Sequence, residues 1–310
     1  MIEQGIGEKR AALIKDDDIV EARISLEGSV RAGTRLLARL KAVDRGAAAE
    51  AEGQEYLLPK GAPGVTQGAT LTIEVTREAI PGAEPWKRPL AVVTDDAPSA
   101  ASPFDARHIA FPGPRDELGN VGWWDVLEEA RSGVVRFPGG ELRISPTPAM
   151  TLIDVDGHLP PLDLAIAGAT AAARSILRLD IGGSIGIDLP TVGGKAERQE
   201  IGLAIDSILP PPFERTAVNG FGFVQIVRRR QRASLVELAQ DRATFEARVL
   251  LRRVVLESPG AKRLAAHPAV IAVLESRPEW TEALARQIGG AVGLRADAAL
   301  PISGGYAETL

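Results

Sequence analysis

The chain has 310 residues, a net charge of −5 and no cysteine, with 45% hydrophobic and 25% charged residues. This length and composition indicate a globular protein of two or three domains, and the lack of cysteine excludes disulfides, thiolate metal sites and cysteine nucleophiles. The acidic balance is not typical of a nucleic-acid-binding domain, so any contact with phosphate requires a local basic patch.

The N-terminal segment predicts a soluble protein that begins with a β-hairpin. The first residues, MIEQGIGEKR, have no apolar core of signal-peptide type, and no apolar run reaches the roughly 18 residues of a membrane-spanning helix. We therefore expect a cytoplasmic protein with no membrane partner. Residues 10–25 contain two apolar runs around Lys15-Asp16-Asp17-Asp18, the pattern of a hairpin. Three adjacent aspartates are compatible with a metal site, but a solvated turn is favoured because aspartate is a common turn former.

Farther along, the pattern changes from a barrel to alternating strands and helices. Residues 29–95 are punctuated by glycine and proline between short runs such as ATLTIEVT and LAVVT, which predict a small β-barrel. AMTLIDVD and SIGID then indicate two strands joined by an Ala-rich helix. A strand–helix–strand unit of this length predicts two parallel strands in one sheet. An amphipathic helix over residues 195–209, a strand FGFVQIVRRR, a long helix over residues 235–257 and a small α/β tail follow.

Both strands of the predicted βαβ unit end in a carboxylate. Asp154 and Asp188 would lie at the carboxyl ends of neighbouring parallel strands, about 4.8 Å apart, where such sheets collect ligands. Two bare carboxylates repel, and a divalent cation with oxygen ligands, Mg²⁺ or Mn²⁺, removes the conflict. Asp156 would point to the same side as Asp154 and could orient a metal-bound water. The alternative is that these aspartates only begin loops as turn formers.

Other residues allow two interpretations each. The basic run VRRRQR, residues 227–232, indicates either phosphate contacts by Arg228 and Arg230 or ion pairs with neighbouring acids. Trp123 and Trp124 are interpreted as anchors of their helix in the core, with base stacking as the alternative.

The sequence resembles the ribonuclease E/G family over about residues 133–235. The resemblance rests on FPGGELRISPTPAMTLIDVDGH, AAARSILRLDIGGSIGIDLP and FERTAVNGFGFVQIVRRRQRASL. In these stretches a Gly-Gly hairpin, a strand with Ile-Asp-Val, a helix with an Arg-rich end, a second Gly-Gly pair and a strand ending in Ile-Asp follow in the family's order and spacing. The N-terminal hairpin, residues 29–95 and the tail are similar to the family's outer parts more weakly.

The resemblance implies an α+β fold with several domains. It predicts an RNase H-like part from residues 1–28 and 100–145, an OB-fold RNA-binding insertion at residues 29–95, a DNase I-like catalytic sheet at residues 146–240, and a small α/β C-terminal domain at residues 241–310.

The resemblance also implies an Mg²⁺- or Mn²⁺-dependent endoribonuclease that cleaves single-stranded RNA in RNA processing or decay. Asp154 and Asp188 would hold the metal. Asp156 stands where the family has an Asn that positions the attacking water, and Arg215 falls where the family has an Arg near the scissile phosphate. The residues expected to contact RNA are Arg228, Arg230, Lys87 and Arg88, with ion pairing or a solvated loop as their alternatives.

Several departures from the family pattern leave rivals open. Without cysteine, the family's zinc link and zinc-bridged dimer are excluded, although a homo-oligomer of another kind is not. The chain lacks room for the 5′-end-sensing subdomain, and Leu57 stands where the family has a stacking Phe. These losses favour an RNA-binding protein on the same fold with little or no cleavage activity. A metal-dependent hydrolase of small phosphate esters is a third interpretation.

Overall fold

A computed structural model describes residues 1–42, 46–81, 87–101 and 106–310. The chain is mixed α and β, as predicted, and contains a closed five-stranded barrel. No helix within the described ranges is both long and apolar enough to cross a lipid bilayer. The chain divides into two compact units: Met1–Glu27, Ala106–Arg131 and Glu237–Leu310 form the first unit, and Gly28–Asp105 and Ser132–Val236 form the second.

The strands and helices alternate irregularly along the chain. The strands are β1 (Ile2–Gln4), β2 (Glu8–Lys15), β3 (Asp18–Leu26), β4 (Arg35–Ala42), β5 (Ala48–Ala51), β6 (Gln54–Leu57), β7 (Thr70–Arg77), β8 (Leu90–Val93), β9 (His108–Ile109), β10 (Val134–Phe137), β11 (Gly140–Pro146), β12 (Thr151–Gly157), β13 (Gly183–Asp188), β14 (Phe213–Arg215), β15 (Phe223–Arg228), β16 (Lys262–Ala266), β17 (Val292–Ala296) and β18 (Tyr306–Thr309). The helices are α1 (Glu117–Asn120), α2 (Trp123–Ser132), α3 (Pro161–Arg178), α4 (Lys195–Ile208), α5 (Leu235–Leu238), α6 (Arg242–Val255), α7 (Pro268–Glu275) and α8 (Pro278–Ile288).

The first unit begins with the predicted hairpin. β2 and β3 pair antiparallel within a sheet of order β3-β2-β1-β9. Asp16 and Asp17 form the turn with φ angles of 51° and 63°, the left-handed conformation that two-residue hairpin turns need and that aspartate tolerates. Both side chains are exposed. The interpretation of this acidic run as a solvated turn is confirmed.

The C-terminal part of the first unit packs three helices against a small sheet. The sheet has the order β17-β16-β18, and α6, α7 and α8 bury one apolar core together with Ile6. Trp123 is fully buried in this unit, which confirms its structural role. Residues 235–257 were predicted as one helix, but they form two. Asp241 begins α6 as its N-cap and accepts a hydrogen bond from the Thr244 N–H at 3.3 Å, which starts a new helix there.

The second unit contains the barrel and a six-stranded sheet. The barrel has the order β4-β5-β6-β8-β7, with β6 and β8 parallel, and alternate residues of β7 point into its apolar core. The predicted barrel is confirmed, although its segment includes residues 43–45 and 82–86, which lie outside the described residues. β5 was not predicted, because its sequence AAEA has no strand-like pattern.

The six-stranded sheet has the order β10-β11-β12-β13-β15-β14. β12, α3 and β13 form the predicted βαβ unit with parallel strands, and the remaining pairs are antiparallel. Apolar residues such as Ile153, Ile187 and Val224 are buried on the face that α3 and α4 cover. The alternating residues on the other face include Leu152, Asp154 and Asp188, which are exposed. We call these the covered face and the open face.

The domain boundaries differ from the predicted ones in two places. Residues 134–145 were assigned to the RNase H-like part, but β10 and β11 belong to the six-stranded sheet, because β11 pairs along its length with β12. Residues 241–310 were assigned to a separate domain, but they belong to the same compact unit as the N-terminal hairpin, because Ile6 joins the apolar core of α6, α7 and α8.

Candidate active site

Asp154 and Asp188 lie side by side on the open face of the six-stranded sheet. The two residues are register partners on the parallel strands β12 and β13, and both side chains are exposed. Register partners on neighbouring strands point to the same face, with the strands about 4.8 Å apart. The sequence prediction that the two carboxylates meet at one edge of one sheet is therefore confirmed.

The electrostatics of Asp154 reflect this crowding. Partial loss of hydration at the sheet surface raises the pKa of Asp154 above its usual value, and the negative charges of Asp156 and Asp188 raise it further. Within the described contacts, no arginine or lysine forms an ion pair with Asp154 or Asp188 at 4 Å or less. The pair is thus a concentration of negative charge to which, within the described contacts, no cationic side chain binds directly.

Two charged residues of β11 flank the aspartates. Arg143 is the antiparallel register partner of Asp154, and Glu141 is the partner of Asp156. Arg143 donates to Glu141 at 2.6 Å, and its positive charge partly counteracts the rise in the pKa of Asp154. The open face therefore combines three carboxylates from β12 and β13 with one adjacent guanidinium, a residue that the sequence analysis did not select.

An apolar strip lies next to the carboxylates on the same face. Phe223 is the register partner of Asp188 on β15, and its ring lies over Gly186. A Cβ atom on Gly186 would come within 2.5 Å of Phe223 Cζ and 3.0 Å of Leu152 Cδ2. Leu152 is 39% exposed. Only glycine leaves room at this position for Leu152 and Phe223 to lie against each other across β13.

The turn before β15 extends the apolar surface. Phe221 is 84% exposed, and Asn219 Oδ1 holds the turn by accepting hydrogen bonds from the N–H groups of Phe221 at 2.9 Å and Phe223 at 3.1 Å. The Thr191 hydroxyl donates to the Phe221 carbonyl at 3.3 Å, which ties this turn to the segment that follows Asp188.

Arg215 does not join the carboxylates. Its register partner on β15 is Ile226, which belongs to the covered face. Its guanidinium donates to both carboxylate oxygens of Asp206 on α4, at 2.7 Å and 2.5 Å. This hydrogen bonding lowers the pKa of Asp206 and raises that of Arg215. The predicted position of Arg215 at the scissile phosphate is therefore not found, because residues 215 and 226 both point away from the open face.

The four residues predicted to contact RNA lie elsewhere. Arg228 ends β15, where its Nη1 donates to the Ile181 carbonyl at 3.2 Å. The side chain of Arg230 lies close to Gly183, so that a Cβ atom at Gly183 would be 3.5 Å from Arg230 Cδ. Arg88, on the barrel, forms an ion pair with Glu55 and is half exposed. Lys87 is partly buried beside it. The contacts described for these residues do not include Asp154, Asp156 or Asp188.

The donor set fits a hard divalent cation. In the part of the chain that the structure describes, no group of three or more His, Cys, Asp or Glu side chains is arranged to hold a metal ion, so the fit rests on the pair of carboxylates. Mg²⁺ is commonly bound by one or two carboxylates and keeps several waters. Asp154 and Asp188 offer only oxygen ligands, face solvent and carry mutual repulsion that a cation relieves.

Comparisons with known proteins do not identify the chain. A scan against protein-family models finds no match, and a search of curated proteins finds no relative.

Proposed function

We propose that this protein is a metal-dependent endoribonuclease that cleaves single-stranded RNA, built as a compact variant of the ribonuclease E/G type. The observation that carries the proposal is the exposed, in-register pair of Asp154 and Asp188 without a cationic side chain bound to it. A pair of repelling carboxylates costs stability, and a protein with no use for a cation has no physical reason to keep them side by side.

Asp154 and Asp188 would hold Mg²⁺ or Mn²⁺ through their carboxylate oxygens. When bound, such an ion neutralises charge on a phosphate and lowers the pKa of a coordinated water. The residues of the chain orient the reactants around it. Asp156 shares the face of Asp154 and would accept a hydrogen bond from the attacking water, in place of an Asn amide. Arg143 stands beside Asp154 and would contact a non-bridging phosphate oxygen, the role that the resemblance had assigned to Arg215.

Two features favour RNA over a small phosphate ester. The barrel, with five strands and one parallel pair, is compatible with an OB-type fold, a common binder of single-stranded nucleic acid. The strip of Leu152, Gly186 and Phe223 offers an apolar surface beside the carboxylates, where a nucleobase next to the cleaved phosphate would stack. A small ester needs neither feature.

The finer architecture belongs to the same proposal. We assign the six-stranded sheet with α3 and α4 as the DNase I-like part, the barrel as the OB-type insertion, and the first unit as an RNase H-like part joined to the C-terminal α/β segment. Lys87 and Arg88 on this barrel, Arg228 at the end of β15 and Arg230 after it remain candidates for RNA contact.

The rival is an RNA-binding protein on the same fold that does not cleave. It is favoured by the extra negative charge of Asp156 beside the metal position and by Glu141 next to it, since both repel a phosphate. The two functions differ in what the aspartates do: the enzyme needs them, whereas a binder would gain affinity for RNA when they are neutralised.

One experiment separates the two functions. A labelled single-stranded RNA is incubated with the wild-type protein, Asp154→Asn and Asp188→Asn, in Mg²⁺ and in EDTA. We expect cleavage only by the wild-type protein and only with Mg²⁺. RNA retention without cleavage, with tighter binding by both variants, would establish the rival. Cleavage that survives in both variants would show that the pair is not the catalytic centre.

A further inference from the structure

A basic groove lies between α4 and the residues around β14 in the second unit. Its volume is about 560 Å³, and it is lined by Lys195, Arg198, Gln199, Leu203, Arg215, Ala217 and Val218. The α4 residues in this set recur at helical spacing, so they form one face of the helix. We call this cavity the α4 groove.

The lining of the α4 groove is cationic, although the whole chain carries a net charge of −5. Three of its seven lining residues are positively charged and none is acidic. Two neighbouring acids are engaged: Asp206 pairs with Arg215, and the Glu197 carboxylate accepts the Gly194 N–H at 2.7 Å. Arg198 donates to the Gly193 carbonyl at 3.0 Å, a contact that leaves its charge uncompensated.

Lys195 is exposed at the start of α4. Within the described contacts its ammonium has no carboxylate partner, so the charge faces the groove and solvent. Leu203 is 65% exposed and adds an apolar side chain to the lining. A groove with unpaired cationic side chains on one wall and exposed apolar atoms beside them suits a single-stranded nucleic acid, whose phosphates would contact the cations and whose bases would contact the apolar atoms.

The topology places the groove at the same edge of the sheet as the aspartates but on the covered face, so an RNA strand would reach both by passing around that edge. β14 and β13 are both antiparallel to β15, so they run in the same direction. Asp188 ends β13 and the chain then leads into α4, while Arg215 ends β14 and leads into Ala217 and Val218. Both walls of the groove therefore start at the carboxyl edge. β13 and β14 are separated by β15, which sets their axes about 10 Å apart.

We propose that the α4 groove binds the phosphodiester backbone of single-stranded RNA, a few nucleotides from the bond held at Asp154 and Asp188. This proposal deepens the nuclease function above and rests on it, because the RNA in the groove is the same strand that would be cleaved at the aspartates. Lys195 and Arg198 bind successive phosphates, and Leu203 contacts a base. Arg215, held in place by Asp206, contributes charge here rather than at the scissile phosphate. An acidic protein segment is the competing occupant; the shared edge with the aspartates favours RNA.

The test measures RNA binding in EDTA, where cleavage does not interfere. The double variant Lys195→Gln/Arg198→Gln, the gain variant Gln199→Arg and the control Arg286→Gln, whose side chain is 71% exposed on α8, are compared. The probes are labelled oligouridylates of about 4 and about 14 nucleotides, which bracket the usual site size of single-strand binders.

We expect the double variant to bind the long RNA about tenfold more weakly and to lose about 1.4 from the magnitude of its salt-dependence slope, the value for two lost phosphate contacts on a single strand. The short RNA still carries enough phosphates to contact both Lys195 and Arg198, so its binding should weaken in the same direction. Gln199→Arg should bind the long RNA more tightly, and Arg286→Gln should match the wild-type protein. If the double variant does not fold, the gain variant decides alone.

Unchanged affinity and slope in the double variant, together with no gain from Gln199→Arg, would overturn the proposal. So would polyglutamate competing for the groove better than inorganic polyphosphate of equal charge, which would identify an acidic protein partner. If cleavage requires the aspartates but RNA affinity does not change in the groove variants, the nuclease function is supported and the RNA-binding role of the α4 groove is excluded. If RNA affinity falls in the groove variants but the wild-type protein does not cleave RNA, the groove is supported as a binding site and the nuclease function is excluded.

Discussion

Each unit contains one cluster of acidic side chains that can be compared directly, and the environments of these two clusters are opposite. In the first unit Glu3, Arg10 and Arg252 are each about 1% exposed, and both arginines pair with Glu3. Arg252 also donates to both oxygens of Asp116, at 2.6 Å and 3.0 Å. In the second unit Asp154 and Asp188 face water together, with no arginine or lysine bound to them within the described contacts.

The difference separates acids that hold the fold from acids that are available to a ligand. Burial raises the pKa of Glu3, and only the two arginines keep its charge tolerable in that environment. The guanidinium groups are further fixed by Phe111, whose ring centroid lies 5.3 Å from Arg10 and 5.0 Å from Arg252. Asp154 and Asp188 lack such partners, so removal of their charge should affect chemistry and leave the fold intact.

The largest expected effect is on activity. Asp188→Asn should reduce RNA cleavage by at least about 10³-fold, more than the 10–100-fold typical of residues that only support a metal ligand, while the melting temperature stays equal or rises because repulsion with Asp154 is relieved. Cleavage assays and thermal unfolding check both parts. Asp17→Asn, in the exposed hairpin turn, is the matched control and should alter neither. A melting temperature that falls in Asp188→Asn would mean that the pair supports the fold.

The opposite case is the buried cluster. Arg252→Met should lower the free energy of unfolding by about 3–5 kcal/mol, because Glu3 and Asp116 lose a shared buried partner. Urea unfolding measures the change, with the exposed Arg286→Met as a control that should stay within about 0.5 kcal/mol. A loss below about 1 kcal/mol would contradict a structural role for this cluster.

Substitutions of Arg143 test whether the cation beside Asp154 and Asp188 binds the phosphate of the substrate. Arg143→Gln should slow cleavage by at least about tenfold, yet tighten Mg²⁺ binding, because a positive charge next to Asp154 is removed. Arg143→Lys should restore part of the rate. The two measurements are single-turnover rate and metal titration, and weaker metal binding in Arg143→Gln would exclude this role.

A substitution of Asp156 tests, through the pH dependence of metal binding, whether its charge raises the pKa of Asp154. The raised pKa of Asp154 means that this group takes up a proton as pH falls, at a pH above the usual aspartate value of about 3.9, and Mg²⁺ affinity falls with it. Asp156→Asn removes one cause of the raised pKa, so the loss of metal affinity should move to lower pH. Metal titrations across the acidic range check the shift, and a profile that stays in place would show that Asp156 does not act on Asp154.

The smallest effect belongs to the partly exposed pair of Asp206 and Arg215. Hydrogen bonding to Arg215 lowers the pKa of Asp206, so the pair stabilises the fold above the unfolded aspartate pKa, and this contribution is lost as pH falls through the lower folded value. Asp206→Asn should lower the free energy of unfolding by less than about 1 kcal/mol at neutral pH, since the carboxylate is 40% exposed. The difference from the wild-type protein should vanish in acid.

Local patterns in the sequence were sufficient for the βαβ unit and for the aspartate pair, although not for β5 or for the break between α5 and α6. The alternation in AMTLIDVD and SIGID, the Ala-rich helix between them and the handedness of βαβ units together require parallel neighbours whose carboxyl ends meet. The turn at Asp16 and Asp17 was also predictable, because aspartate favours such turns.

Only the tertiary structure determined which arginine lies beside the aspartate pair. The side of the sheet on which Arg215 lies depends on the register of β14 with β15, and a shift of one residue would turn it to the open face. Arg143 reached Asp154 only because β11 folds back along β12. The sequence by itself determined that two carboxylates would meet, since that follows from strand ends within one βαβ unit. Their neighbours come from strands whose register arises only when the whole sheet assembles.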